Sequence, residues 1–102
     1  MITCHLRYEI DPDKLDLFTR YAELWIPLVE KLGGIHHGYF LPSEGKNYEA
    51  YAAFSFPSLA AYEEYRNKSF DDPECKAAFD FASQNKIIQK IERQFMKPVL
   101  PS

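Results

Sequence analysis

The stretch from Gly33 to Gly45 limits the architecture more than any other part of the chain. Gly33 and Gly34 end whatever precedes them. An apolar and aromatic run around His36 and His37 comes next, and Pro42 to Gly45 then makes a turn. A strand entered from a helix and left through a hairpin fits this pattern, because paired glycines stop helices and Pro-Ser-Glu-Gly reverses chains.

The flanking segments supply the remaining elements. Residues 2 to 10 alternate, with Ile2, Cys4, Leu6, Tyr8 and Ile10 on one side and Thr3, His5, Arg7 and Glu9 on the other, which is a strand with one apolar face. Asp11-Pro12-Asp13 breaks it, and Asp11 or Asp13 can cap the next helix. From Lys14 to Leu32, Leu15, Phe18, Ala22, Trp25, Ile26, Val29 and Leu32 form the stripe of an amphipathic helix, interrupted by Pro27, where a kink is expected. Trp25 lies in that stripe and reads as core packing or subunit contact. Tyr48 to Phe56 reads as a strand whose alanines suit close packing by a helix. A second helix runs from Pro57-Ser58 to about Asn67, and a third starts at Asp72-Pro73 and ends near Gln84 to Lys86. Residues 87 to 97 form the last strand, with Ile87, Ile91 and Phe95 opposed to Ile88, Lys90, Glu92, Gln94 and Met96. This order gives an α+β, ferredoxin-like βαββ(αα)β domain over residues 1–102, a four-stranded antiparallel sheet with helices on one face.

The bulk properties exclude several partners. A chain of 102 residues can bury roughly two-thirds of its unfolded surface in a single core. A net charge of −3 with no basic run argues against nucleic acid. Cys4 and Cys75 lie outside any metal-ligand spacing and read as reduced thiols. No apolar run is long enough to span a membrane, and the alternating pattern after Met1 leaves no secretory hydrophobic region, so a soluble cytoplasmic protein is expected. Eight phenylalanines and seven tyrosines are more ring surface than one small core needs, which points to a ligand cavity or a subunit contact.

The sheet face without helices is where such a site is expected. Carrying the alternation across the strands puts His5, Arg7, His36, Phe40, Tyr51 and Glu92 there, and these are the expected ligand-binding residues. Adjacent His36 and His37 project to opposite faces, and a one-residue slip would exchange them. Arg7 either pairs with Glu92 or binds a carboxylate or enolate, and Glu92 or a histidine could then move a proton. A metal set of His5, His36 and a carboxylate has suitable ligand types but no supporting spacing, so no metal and no cofactor is expected.

The run Leu6-Arg7-Tyr8, then Asp11 to Leu15, Gly38-Tyr39-Phe40 with Glu44-Gly45 and Asn47, the Phe54 to Tyr65 passage, Asp72-Pro73, and Glu92 with Lys97-Pro98 together resemble the NIPSNAP family. The chain departs from the family pattern at Phe54 and Cys75. The resemblance implies the dimeric α/β-barrel superfamily, in which two ferredoxin-like subunits join their open sheet faces, and it implies no agreed catalytic residues. That superfamily holds cofactor-free monooxygenases, lactone isomerases, dehydratases and haem enzymes. The functional expectation is a homodimer that binds a small aromatic or apolar anionic molecule in a cavity on the open sheet face. The alternative is a cofactor-independent monooxygenase or isomerase acting on a planar aromatic or enolisable substrate.

Overall fold

The alternating segment at the N-terminus becomes a central strand. The computed structural model describes residues 1–101. In it, β1 (Ile2–Ile10) leads through a short 3-10 turn to α1 (Leu15–Lys31), β2 (Ile35–Phe40), β3 (Glu49–Phe56), α2 (Leu59–Asp71), α3 (Pro73–Asn85) and β4 (Ile88–Met96). All pairings are antiparallel in the order β2-β3-β1-β4. This is the ferredoxin-like α+β arrangement. None of its helices is long and apolar enough to cross a membrane among the described residues.

Helix starts and stops are set by local chemistry. The Ser58 side chain accepts the Ala61 N–H at 3.1 Å and starts α2. Asp72 separates α2 from α3 alone: its N–H bonds the Lys68 carbonyl at 3.0 Å, and its carboxylate accepts the Cys75 N–H at 3.0 Å. This single-residue joint lets α2 run to Asp71, past the expected end near Asn67. α1 continues through Pro27 and closes at the glycine pair, where the Gly34 N–H bonds the Val29 carbonyl at 3.0 Å.

Cys4, Leu6, Tyr8 and Ile10 enter one core with Phe18, Trp25 and Val29 of α1, Tyr62 and Tyr65 of α2, and Cys75 and Ala78 of α3. Both cysteines are buried free thiols. Ala52 stands opposite Leu6 on one side and Tyr39 on the other, and Ala50 stands opposite Tyr8. Their small side chains leave space above β3 that the rings of Tyr8 and Tyr39 fill, stacked 6.0 Å apart, with Phe18 edge-on to both.

The helices cover β4 least. Ile91 and Phe95, on its helix-facing side, stay 45% and 38% exposed. A bulge between Glu9 and Ile10 pairs Ile10 with Ile88 and turns Ile88 inward, contrary to the strict alternation expected from Ile88 to Met96.

Candidate functional site

Of the six expected residues, all but His36 lie on the open sheet face. Phe40, Tyr51, Arg7 and Glu92 form a row across all four strands, and His5 sits in the next row between Ala53 and Gln94. His5, Arg7, Tyr51 and Glu92 border a hollow of about 420 Å³ with Gln94 and Met96. Phe40 lies on the same face at 61% exposure but does not border the hollow.

The charge of Arg7 is already answered. Its guanidinium donates to Glu92 Oε1 at 2.7 Å, to Glu9 Oε2 at 3.0 Å and to Glu49 Oε2 at 3.3 Å. Glu49 also accepts from the Tyr51 hydroxyl and pairs with Lys46 at 3.4 Å. The Tyr51 hydroxyl and then Arg7 hold the Glu49 carboxyl down to about 2. An incoming anion would have to displace three carboxylates to reach this arginine.

His36 does not share this face. Its ring stacks on Tyr39 at 5.0 Å and tilts against Phe54 at 5.6 Å, on the helix side of the sheet. The reason is a bulge: the β2–β3 register shifts between His36 and Tyr39, and Gly38 takes a φ of +101°. The extra residue breaks the alternation, so His36 and Tyr39 turn inward while His37 and Phe40 turn outward. His37 Nε2 meets Ser55 Oγ at 2.7 Å, and Ser55 meets Thr3 Oγ1 at 2.7 Å. A metal set joining His5 with His36 is divided by the sheet. Nδ1 of His36 accepts the Gly38 N–H at 2.8 Å, so the ring proton sits on Nε2, which finds no acceptor among the described residues. Burial, then His37, lowers the His36 pKa to about 4.

A second cavity, of about 480 Å³, lies between the sheet and the helices where β4 is left uncovered. Its walls are rings: Tyr8 and Tyr39 from the sheet, Tyr21 and Trp25 from α1, Tyr62 and Tyr65 from α2, and Phe79 from α3. Arg66 of α2 and Arg93 of β4 border it as well. Among the described residues neither arginine has a carboxylate within 4.0 Å. The Arg66 guanidinium sits over the Phe70 ring at 5.2 Å, which fixes it without neutralising it. Arg93 stands opposite Leu6, in line with Ile91 and Phe95. That alignment was the signal available in the sequence: an arginine at period two within an apolar stripe lies on the helix side of the sheet, although Arg93 itself stays exposed. Arg66 carried no such sign beyond coming soon after Tyr62 and Tyr65.

Ser83, Gln89 and Lys90 add polar groups to the cavity's rim beside the arginines. Burial pushes the Tyr21 hydroxyl up to about 12 and raises those of Tyr8, Tyr39 and Tyr65, so all four are neutral hydroxyls at pH 7. Trp25 is 4% exposed, and its indole nitrogen is sealed from the cavity, with no acceptor at ideal hydrogen-bond geometry among the described residues but with the Tyr21 hydroxyl close enough to feel it. No carboxylate or imidazole borders the cavity among the described residues. The arrangement suits a flat apolar ring system bearing negative charge at the end near the arginines.

A model of the NIPSNAP family matches residues 5–102. No curated protein matches. Among solved structures, a NIPSNAP family protein of unknown function from Agrobacterium tumefaciens superposes with a TM-score of 0.84 at 22% identity, covering 100% of this chain and 91% of that one. An uncharacterised NIPSNAP domain protein from Burkholderia xenovorans gives 0.79 at 16% identity, with 100% of both chains covered. A Nitrosomonas europaea protein named provisionally as an antibiotic biosynthesis monooxygenase gives 0.76 at 7% identity, covering 98% of this chain and 100% of that one. At these identities the likeness is one of fold.

Proposed function

The chain belongs to the NIPSNAP family, and from that premise we propose that it is a homodimeric binding protein for a small aromatic anion, held between sheet and helices. The observation that carries this reading is the aromatic cavity of about 480 Å³ bordered by two arginines without carboxylate partners among the described residues. Its size falls within the roughly 300–1,000 Å³ of small-molecule sites. Arg7, held by Glu9, Glu49 and Glu92, is the poorer anion site, so the ligand belongs on the helix side rather than in the open-face hollow.

The open face is assigned to the second copy. Ile35, Phe40, Tyr51 and Met96 remain 45% to 61% exposed there, more apolar surface than a solvated sheet face usually carries. With Lys46 on Glu49 and Lys90 on Glu92, the cluster around Arg7 sets three cations against three carboxylates and can be covered without leaving a lone charge. His5, Arg7, Phe40, Tyr51 and Glu92 then act in subunit contact.

Binding takes precedence over catalysis because the cavity offers no ready base: its most buried tyrosines are neutral hydroxyls, and neither a carboxylate nor an imidazole borders it among the described residues. The oxidation named for the Nitrosomonas relative would need a substrate that ionises unaided.

Calorimetric titration with anthracene-2-carboxylate tests the reading. The wild type should bind it. Arg66→Met and Arg93→Met should each weaken binding by roughly tenfold or more, the usual worth of a charged hydrogen bond, while Arg7→Met leaves it unchanged. Loss on Arg7→Met alone would move the ligand to the open face. Native mass spectrometry should show a dimer, and a monomer at micromolar concentration would remove the assembly.

A further inference from the structure

We infer that the cavity reads its ligand at two ends, with Arg66 and Arg93 taking a carboxylate and the hydroxyls of Tyr8 and Tyr39 taking a ring hydroxyl, so that the occupant is a hydroxylated aromatic acid. This rests on the binding reading above.

The two ends lie far apart on the sheet. Tyr39, Ala52, Leu6 and Arg93 form one row across all four strands, on the helix side. Tyr39 and Arg93 therefore stand three strand spacings apart, roughly 14 Å between backbones. Both side chains border the cavity, as does Leu6 between them. The charges of Arg66 and Arg93 act on the Tyr21 hydroxyl and not on that of Tyr39, so the far end is out of their reach.

That far end is nevertheless polar. Tyr8 and Tyr39 line the cavity stacked at 6.0 Å, with the Tyr8 hydroxyl close enough to those of Tyr39 and Tyr21 for each to feel the next. Yet neither the Tyr8 nor the Tyr39 hydroxyl has a partner at hydrogen-bond geometry among the described residues, and neither oxygen is sealed as the Trp25 nitrogen is. A neutral phenol hydroxyl both donates and accepts, and a ligand hydroxyl set beside two of them can do the same in return. A ligand entering here displaces the solvent that answers these groups, and it loses affinity unless it restores their hydrogen bonds. An aromatic acid that ends in bare hydrocarbon cannot restore them, which gives the site its discrimination.

The test uses a matched pair of probes on the full chain at pH 7: 6-hydroxy-2-naphthoate, whose hydroxyl lies at the end of the ring system away from the carboxylate, and 2-naphthoate, which lacks it. Calorimetry with the wild type should show the hydroxy acid binding roughly tenfold tighter, the effect of one satisfied against one abandoned hydrogen bond. Tyr8→Phe and Tyr39→Phe keep the stacked rings and remove one hydroxyl each. Each should reduce the preference, and the double variant should abolish it. Arg93→Met should weaken both probes and leave their ratio intact. Equal binding by the wild type, or a preference that survives the double variant, overturns the inference and leaves the anion site standing. Failure of both probes to bind removes the binding reading and the inference with it.

Discussion

Gly34 gives the sharpest test of how the helix-to-strand joint is packed. A Cβ built there would lie 2.7 Å from Phe56 Cζ and 2.8 Å from Val29 Cγ1, where carbon atoms ordinarily stay about 3.5–4.0 Å apart. Neither neighbour can easily retreat. Phe56 is 1% exposed and set among Phe54, Tyr62 and Tyr65 at 5.9, 5.6 and 5.0 Å, and Val29 is 1% exposed on α1. Overpacking of this kind costs about 1–3 kcal/mol. Gly34 is not in the left-handed region, so alanine also restricts the unfolded chain and returns about 0.4–1 kcal/mol. Gly34→Ala should therefore destabilise by about 1–2 kcal/mol, a fall in Tm of roughly 5–15 °C for a chain of this size. Urea unfolding followed by circular dichroism measures it. The double variant Gly34→Ala/Phe56→Leu should lose less than the sum of its parts, because the smaller side chain vacates the contested space. A single variant as stable as the wild type, with a coupling energy below about 0.5 kcal/mol, would refute the packing argument.

Two further outcomes arise from β2. Gly38→Ala meets no atom within 4 Å but must hold a φ of +101°, so it should cost about 1–3 kcal/mol in urea unfolding with no change in core packing by near-ultraviolet dichroism. His36 has a folded pKa of about 4 against an ordinary 6.5, so the unfolded chain binds its proton first as pH falls, and stability should decline from pH 6.5 towards 4. His36→Asn, whose side-chain oxygen can accept the Gly38 N–H, should flatten that slope, and an unchanged slope would place the cause elsewhere.

The order of elements was legible because it rests on spacing and on residues with one local use. Period two in β1, the three-and-four stripe of α1, the Gly33-Gly34 stop and the Asp72-Pro73 start each act within a few residues. Facing was less legible, because it passes through every residue of a strand in turn. One extra residue at Gly38 separates His36 from Phe40, and one at Gln89 turns Ile88 inward. A glycine inside a strand is a known sign of a bulge, so Gly38 did carry the information. Gln89 did not, since that irregularity arises from pairing with Glu9 and Ile10, roughly eighty positions earlier in the chain.

The arginines show why the candidate site was harder to read than the fold. By residue type, Arg7, Arg66 and Arg93 are the same anion-binding group. What distinguishes them is which carboxylates the topology brings near. Sheet order sets Glu49 and Glu92 on either side of Arg7, with Glu9 two residues along its own strand, and the three carboxylates answer its charge. Arg93 comes directly after Glu92 in sequence, yet the pleat sends it through to the other side of the sheet, where the neighbours are rings and Arg66. Adjacent residues of opposite charge thus end as part of a closed cluster on one face and beside an aromatic cavity, without a carboxylate partner among the described residues, on the other. Whether an arginine of this chain keeps a free charge is a property of the face, set by long-range pairing and by where α2 and α3 stop covering β4.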